Sequence, residues 1–288
     1  DNSDAALFFG NLTIETGGEG STGILIGAPD AGSNNLAYEL TLENTSVTTT
    51  GANAHAVQLS FASSSGTGSS FEATAQLSAT ATGAGSNALQ VTGTGDLLPF
   101  MLSIEAGDVL SSADGFALQE TGMHTTLDVA GLVAGDIDFG TGNDDLTFAG
   151  NALDLRNLGT VDGGAGTDTA RFANATAVFA QAVAFVNFEG PVTATDTALT
   201  LSNVTLDLNR LVMTGASRLN ATGMSTVGGD LRINGALSQA NAQAGDRLTI
   251  DGDLCGTFTY ELDAQFDAPQ TVDLLTVTGS TTEASGTI

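Results

Sequence analysis

The sequence predicts an all-β chain: a right-handed parallel β-helix, or solenoid, of about 12 coils at roughly 24 residues per coil. The first observation behind this is a short phrase that recurs four times: Gly23–Ile26, Ala56–Leu59, Ala88–Val91 and Ala117–Glu120, at steps of 33, 32 and 29 residues. A repeat of that length cannot bury its apolar face alone and must stack on its neighbours. The second is composition. Hydrophobic content is 41% but aromatic content only 6%, with no Trp and 37 Gly, which suits layers of small aliphatic side chains. The third is alternation of apolar and polar residues, as in Val204-Thr205-Leu206-Asp207-Leu208 and Leu231-Arg232-Ile233-Asn234, the period of a half-buried strand.

Extended segments are expected in chain order at 11–15, 36–43, 71–78, 101–105, 125–129, 198–208, 231–234, 248–251 and 258–263. Each is rich in Val, Ile, Leu, Thr or Phe and flanked by Gly, Asn, Asp or Ser. Asp114-Gly115, Asp162-Gly163, Asn234-Gly235 and Asp251-Gly252 are turn dipeptides. The nearest approach to a helix is the Ala, Val and Phe run Ala175 to Phe188, readable as a helical turn or a buried strand pair. Coils one strand spacing apart make a rod on the order of 55 Å long. Its open ends expose unpaired strand edges that need a cover.

Charge excludes several functions. There are 33 acidic and six basic residues, net -27, with no lysine; all six Arg lie between Arg156 and Arg247, so residues 1–155 carry 19 carboxylates and no Lys or Arg. Nucleic acid needs a basic footprint, which is missing, and a bare anionic membrane is disfavoured for the same reason. No apolar run approaches the roughly 18 residues of a membrane span, so membrane insertion by this chain is not expected. Cys255 is the single cysteine and can form no internal disulfide. The opening Asp1-Asn2-Ser3-Asp4 lacks the basic start of a signal peptide; a mature fragment is expected, with export signal and anchor lying elsewhere.

Gly245-Asp246-Arg247-Leu248-Thr249-Ile250, continuing to Asp263, and then Asp273-Leu274-Leu275-Thr276-Val277-Thr278-Gly279 resemble the end of a bacterial autotransporter passenger domain, the pertactin-like β-helix of type V secretion. About 35 residues match closely, and the Gly/Asn/Ala-rich rungs upstream are similar more loosely. Cys255 departs from the polar or Tyr-containing turn usual there. The resemblance implies coils over 1–244 and an autochaperone-like cap over 245–288 that folds first. It also implies a C-terminal β-barrel in the precursor and a place outside the bacterial cell or on its surface.

Two turns, Gly140-Thr141-Gly142-Asn143-Asp144-Asp145-Leu146 and Gly163-Gly164-Ala165-Gly166-Thr167-Asp168-Thr169, resemble the calcium nonapeptide of repeats-in-toxin proteins. There glycines let carbonyls turn inward and an Asp supplies a hard oxygen. Asp144 and Asp168 are therefore candidate calcium ligands. Their 24-residue separation excludes a nine-residue β-roll but permits stacking by one full coil; ordinary turn chemistry is the plain alternative. His55 and His124, the only histidines, fall in repeat-like contexts, and no Gly-x-Ser-x-Gly elbow or zinc spacing is present, so no catalytic residue is assigned. Sequons at Asn11, Asn44, Asn174, Asn203 and Asn220 read as turn and ladder residues.

The expected function is a non-enzymatic adhesin or stalk that meets a host or neighbouring cell surface, glycans, or copies of itself. The longer intercoil segments 28–35 and 63–70 are the expected contact surfaces. The alternatives are a subunit of a self-assembling filament and a polysaccharide-acting β-helix enzyme.

Overall fold

A computed structural model describes residues 5–28, 37–62, 70–94, 99–243, 245–264, 273–281 and 284–287. Among these the chain is all strand and turn, with no helix. Most of each expected contact segment, 29–36 and 63–69, lies outside the described residues. The residues group into two compact units, 1–147 with 160–169 and 187–189, and 148–159 with 170–186 and 190–288. Residues 245–288 belong to the second.

In the first unit the repeated phrase stacks on itself. Ile24 pairs with Val57, Val57 with Leu89 and Leu89 with Leu118, all in parallel strands. These residues are buried. The residues that follow the last three form an amide ladder: Gln58 Nε2 donates to Gln90 Oε1 at 2.9 Å, and Gln90 Nε2 to Gln119 Oε1 at 3.0 Å. Buried aliphatic stacks alternating with outward polar ladders are what a parallel β-solenoid requires, and the architecture is consistent with one.

In the second unit pairing is again parallel. Val192 pairs with Leu211, Leu211 with Leu231 and Leu231 with Leu254, each of them buried. The core here is also aromatic. Phe148 and Phe172 stack with centroids 4.8 Å apart, and Phe179 and Phe185 each meet Phe172 edge-on at 6.2 Å. Quadrupole attraction favours both arrangements.

Corners are made by left-handed residues stacked coil over coil. Asn174, Asp196 and Gly215, at φ 48°, 51° and 70°, directly follow paired residues of three neighbouring strands. Asn and Asp tolerate this region through local hydrogen bonding, and glycine has no Cβ to oppose it. Asn11, Asn44 and Asn203 also lie at positive φ, whereas Asn220 donates to Thr200 Oγ1 at 3.3 Å within a ladder. The five sequon asparagines are thus turn and ladder residues.

The structure amends several local expectations. The segment 198–208 is two strands, Ala198–Ser202 and Thr205–Asp207, because the chain turns at Asn203 with φ 59°. The run Ala175 to Phe188 is resolved as strand, belonging to Thr169–Phe179 and Val183–Val186. Asp114-Gly115 and Asn234-Gly235 do not interrupt their strands, Val109–Thr121 and Asp230–Ala242. Each bends the strand at a corner where glycine is needed: a Cβ on Gly235 would lie 2.1 Å from the Ser217 carbonyl oxygen.

Candidate functional site

The fourth copy of the phrase departs from the others at its last position. Ile26 pairs with Leu59, Leu59 with Val91, and Val91 with Glu120, so a carboxyl occupies a slot that three coils fill with aliphatic side chains. Glu120 is 0% exposed, and neither of its oxygens has a hydrogen-bond partner. Burial, reinforced by the nearby Asp144 carboxylate, pushes its pKa up to about 9. The Met123 amide and Thr125 hydroxyl favour ionisation from close by, but neither reaches hydrogen-bond geometry, so the protonated form prevails.

Below Glu120 the two turns singled out for calcium do stack. Thr141 pairs with Ala165 and Gly142 with Gly166, and Asp144 and Asp168 fall one coil apart. Each carboxylate accepts a backbone amide from the preceding coil: Thr125 N–H donates to Asp144 Oδ1 at 2.6 Å, and Asp144 N–H to Asp168 Oδ1 at 2.8 Å. Asp168 N–H donates in turn to Glu189 Oε2 at 2.6 Å. The stacking needs glycine, since a Cβ on Gly142 would lie 1.8 Å from the Met123 carbonyl oxygen.

The second oxygens differ in kind. Asp144 Oδ2 and Asp168 Oδ2 are buried with no partner. Burial raises the Asp144 pKa to about 7 against the Thr125 amide, with Asp168 adding repulsion. Burial also raises Asp168, opposed by the Asp144 amide and helped by Glu189. A parallel row runs beside them: Asp138 accepts the Gly140 amide at 3.0 Å, and Asp162 accepts the Gly164 amide at 2.8 Å and Asn187 Nδ2 at 2.7 Å. Chemically, the column can hold protons and satisfy amides. Calcium takes six to eight oxygens, and among the described residues no three His, Cys, Asp or Glu groups are placed to hold a metal ion.

Both histidines accept amides from the next coil at Nδ1: His55 from Asn87 at 3.1 Å and His124 from Asn143 at 2.7 Å. Sequence reasoning paired Asp144 with Asp168 but missed Glu120 and Glu189. The signal for Glu120 was present, as a single acidic residue in an otherwise apolar repeat position. Glu189 carries no such signal, because its place depends on how the chain turns after Phe185.

Fold and site together define an all-β protein of parallel strands stacked a coil apart, with one column of buried carboxyl groups inside the first unit. No family model, no curated protein and no solved structure matches the chain. Among the described residues, no helix is long and apolar enough to cross a membrane.

Proposed function

We propose that this chain is the extracellular passenger region of an autotransporter-like bacterial surface protein, a right-handed β-helix of about 12 coils that projects an adhesive surface. The observation that carries this reading is the parallel pairing of strands among the described residues, with buried aliphatic stacks inside and polar ladders outside. Such a design makes length and surface and needs no catalytic centre. Its partners would be a host or neighbouring cell surface, with glycans among the ligands and a membrane barrel supplied by the precursor. The reading is tested by displaying the chain on a non-adherent bacterium and counting attached cells, with and without a calcium chelator. Attachment blocked by the purified chain supports it, and no gain in attachment refutes it. Chelator sensitivity would support calcium between Asp144 and Asp168.

The reading also makes the C-terminal coils a folding nucleus, since a solenoid nucleates locally and propagates coil by coil. Deleting residues 245–279 is expected to slow or abolish refolding of the remainder. Stopped-flow refolding at the full-length rate would remove that element.

A filament subunit is the second reading, favoured by the N-terminal edge. Among the described residues Ala5–Gly10, Thr13–Thr16 and Ile24–Ala28 pair on one side only, and Phe8 and Leu25 are 65% and 66% exposed. Head-to-tail contact at such an edge gives open fibres. Sedimentation as a monomer at high concentration excludes it.

A further inference from the structure

On the outer face of the second unit, two adjacent rows of side chains differ in how completely they are paired. In the first, Arg210 Nη2 meets Asp230 Oδ2 at 3.1 Å. Asp230 Oδ1 accepts the Asp253 amide at 3.0 Å, and Asp253 Oδ1 accepts the Ser280 amide at 2.6 Å. In the second row, register places Arg232 between Val212 and Cys255. Both neighbours are short and uncharged, and among the described residues Arg232 makes no ion pair and no side-chain hydrogen bond. The short neighbours leave a groove of 560 Å³, with Leu254 and Cys255 lining it beside Arg210, Arg232, Asp230 and Asp253.

We propose that this groove binds a hydroxylated monocarboxylate of sugar size, a hexuronate in chemical class, with Arg232 as its anchor. A guanidinium offers a planar fork of donors that matches a carboxylate bidentately, and that of Arg232, unlike that of Arg210, has no ion pair among the described residues. Asp230 and Asp253 keep acceptor capacity beyond the bonds above, which suits sugar hydroxyl donors. The same two carboxylates repel a second negative charge, so a monoanion is selected over a phosphate dianion. The volume falls within the roughly 300–1,000 Å³ of small-molecule sites. Net charge of -27 repels anions from the surface at large, so specific capture needs a local unpaired cation.

The biological purpose of this site rests on the adhesive reading, but its chemistry is measured separately. Ligand-observed NMR titration of the purified chain with glucuronate, glucose and inorganic phosphate tests it. Glucuronate is expected to bind at least roughly tenfold more tightly than glucose or phosphate, and Arg232→Gln to weaken it by roughly tenfold or more. Arg232 is exposed, so its variant should melt like the parent. Arg171→Gln removes another exposed arginine without an ion pair among the described residues that does not line the groove, and is expected to leave binding unchanged. Absence of glucuronate binding, equal binding of phosphate, or equal loss in the Arg171 variant overturns the proposal. Failure of displayed cells to attach would overturn the adhesive reading and leave the titration result standing.

Discussion

Glu120→Gln is expected to stabilise the protein, and increasingly so as pH rises. Below the ordinary glutamate range near 4.5, the acid is protonated in folded and unfolded chains alike and its burial imposes no pH-dependent penalty. Above it the unfolded chain ionises, while the folded chain holds its proton up to about 9; stability is lost throughout that interval. The loss at pH 7 is about 3 kcal/mol, which the amide, unable to ionise, does not suffer. Asp144, raised to about 7, adds a loss of the same sign and similar size, complete near pH 7, so the loss beyond it belongs to Glu120. Urea unfolding from about pH 5 to about pH 9 should show a falling midpoint in the parent and a flatter one in the variant. Identical pH slopes would mean that Glu120 ionises freely in the folded state.

Phe172→Ala is the second large effect, of opposite direction. Phe172 is 1% exposed and touches three other rings, so its removal costs about 4 kcal/mol in lost burial and residual cavity. The damage should be local, since a stacked coil interacts with its nearest neighbours. Amide exchange should accelerate first in Val192–Thr195, whose Ala194 pairs with Phe172. A loss below about 1 kcal/mol would show that the rings repack around the gap.

Much of the architecture is legible in the sequence. The steps between the four phrases are the register offsets themselves, because Ile24, Val57, Leu89 and Leu118 pair in succession. Strand segments fall in the expected order, although the corner at Asn203 splits one expected strand and the strands run on through Gly115 and Gly235. Turn dipeptides mark a change of direction without revealing whether pairing continues through it. In these strands the same alternate positions stay buried on both sides: Leu231 and Ile233 before Gly235, Leu237 and Gln239 after it.

The candidate site was legible only in part. Asp144 and Asp168 could be stacked on paper because the turns holding them are alike and their coil contains no insertion. Arg232 could not be placed. Register offsets vary, from Ala5 with Tyr38 to Ser217 with Gly235, so its neighbours depend on the length of every preceding loop.

Sequence by itself determined that this protein is built of repeating strands and that its charge is overwhelmingly acidic. Those properties depend on local alternation, repeat spacing and summed charge, all of which survive ignorance of long-range contacts. Tertiary structure alone decided that Glu120 is buried in an aliphatic stack, that the Asp144 and Asp168 carboxylates accept backbone amides, and that Arg232 lines a groove with no ion pair among the described residues. A side chain's ionisation and reach are set by what surrounds it in space, and in a parallel stack those surroundings come from residues 18 to 33 positions away.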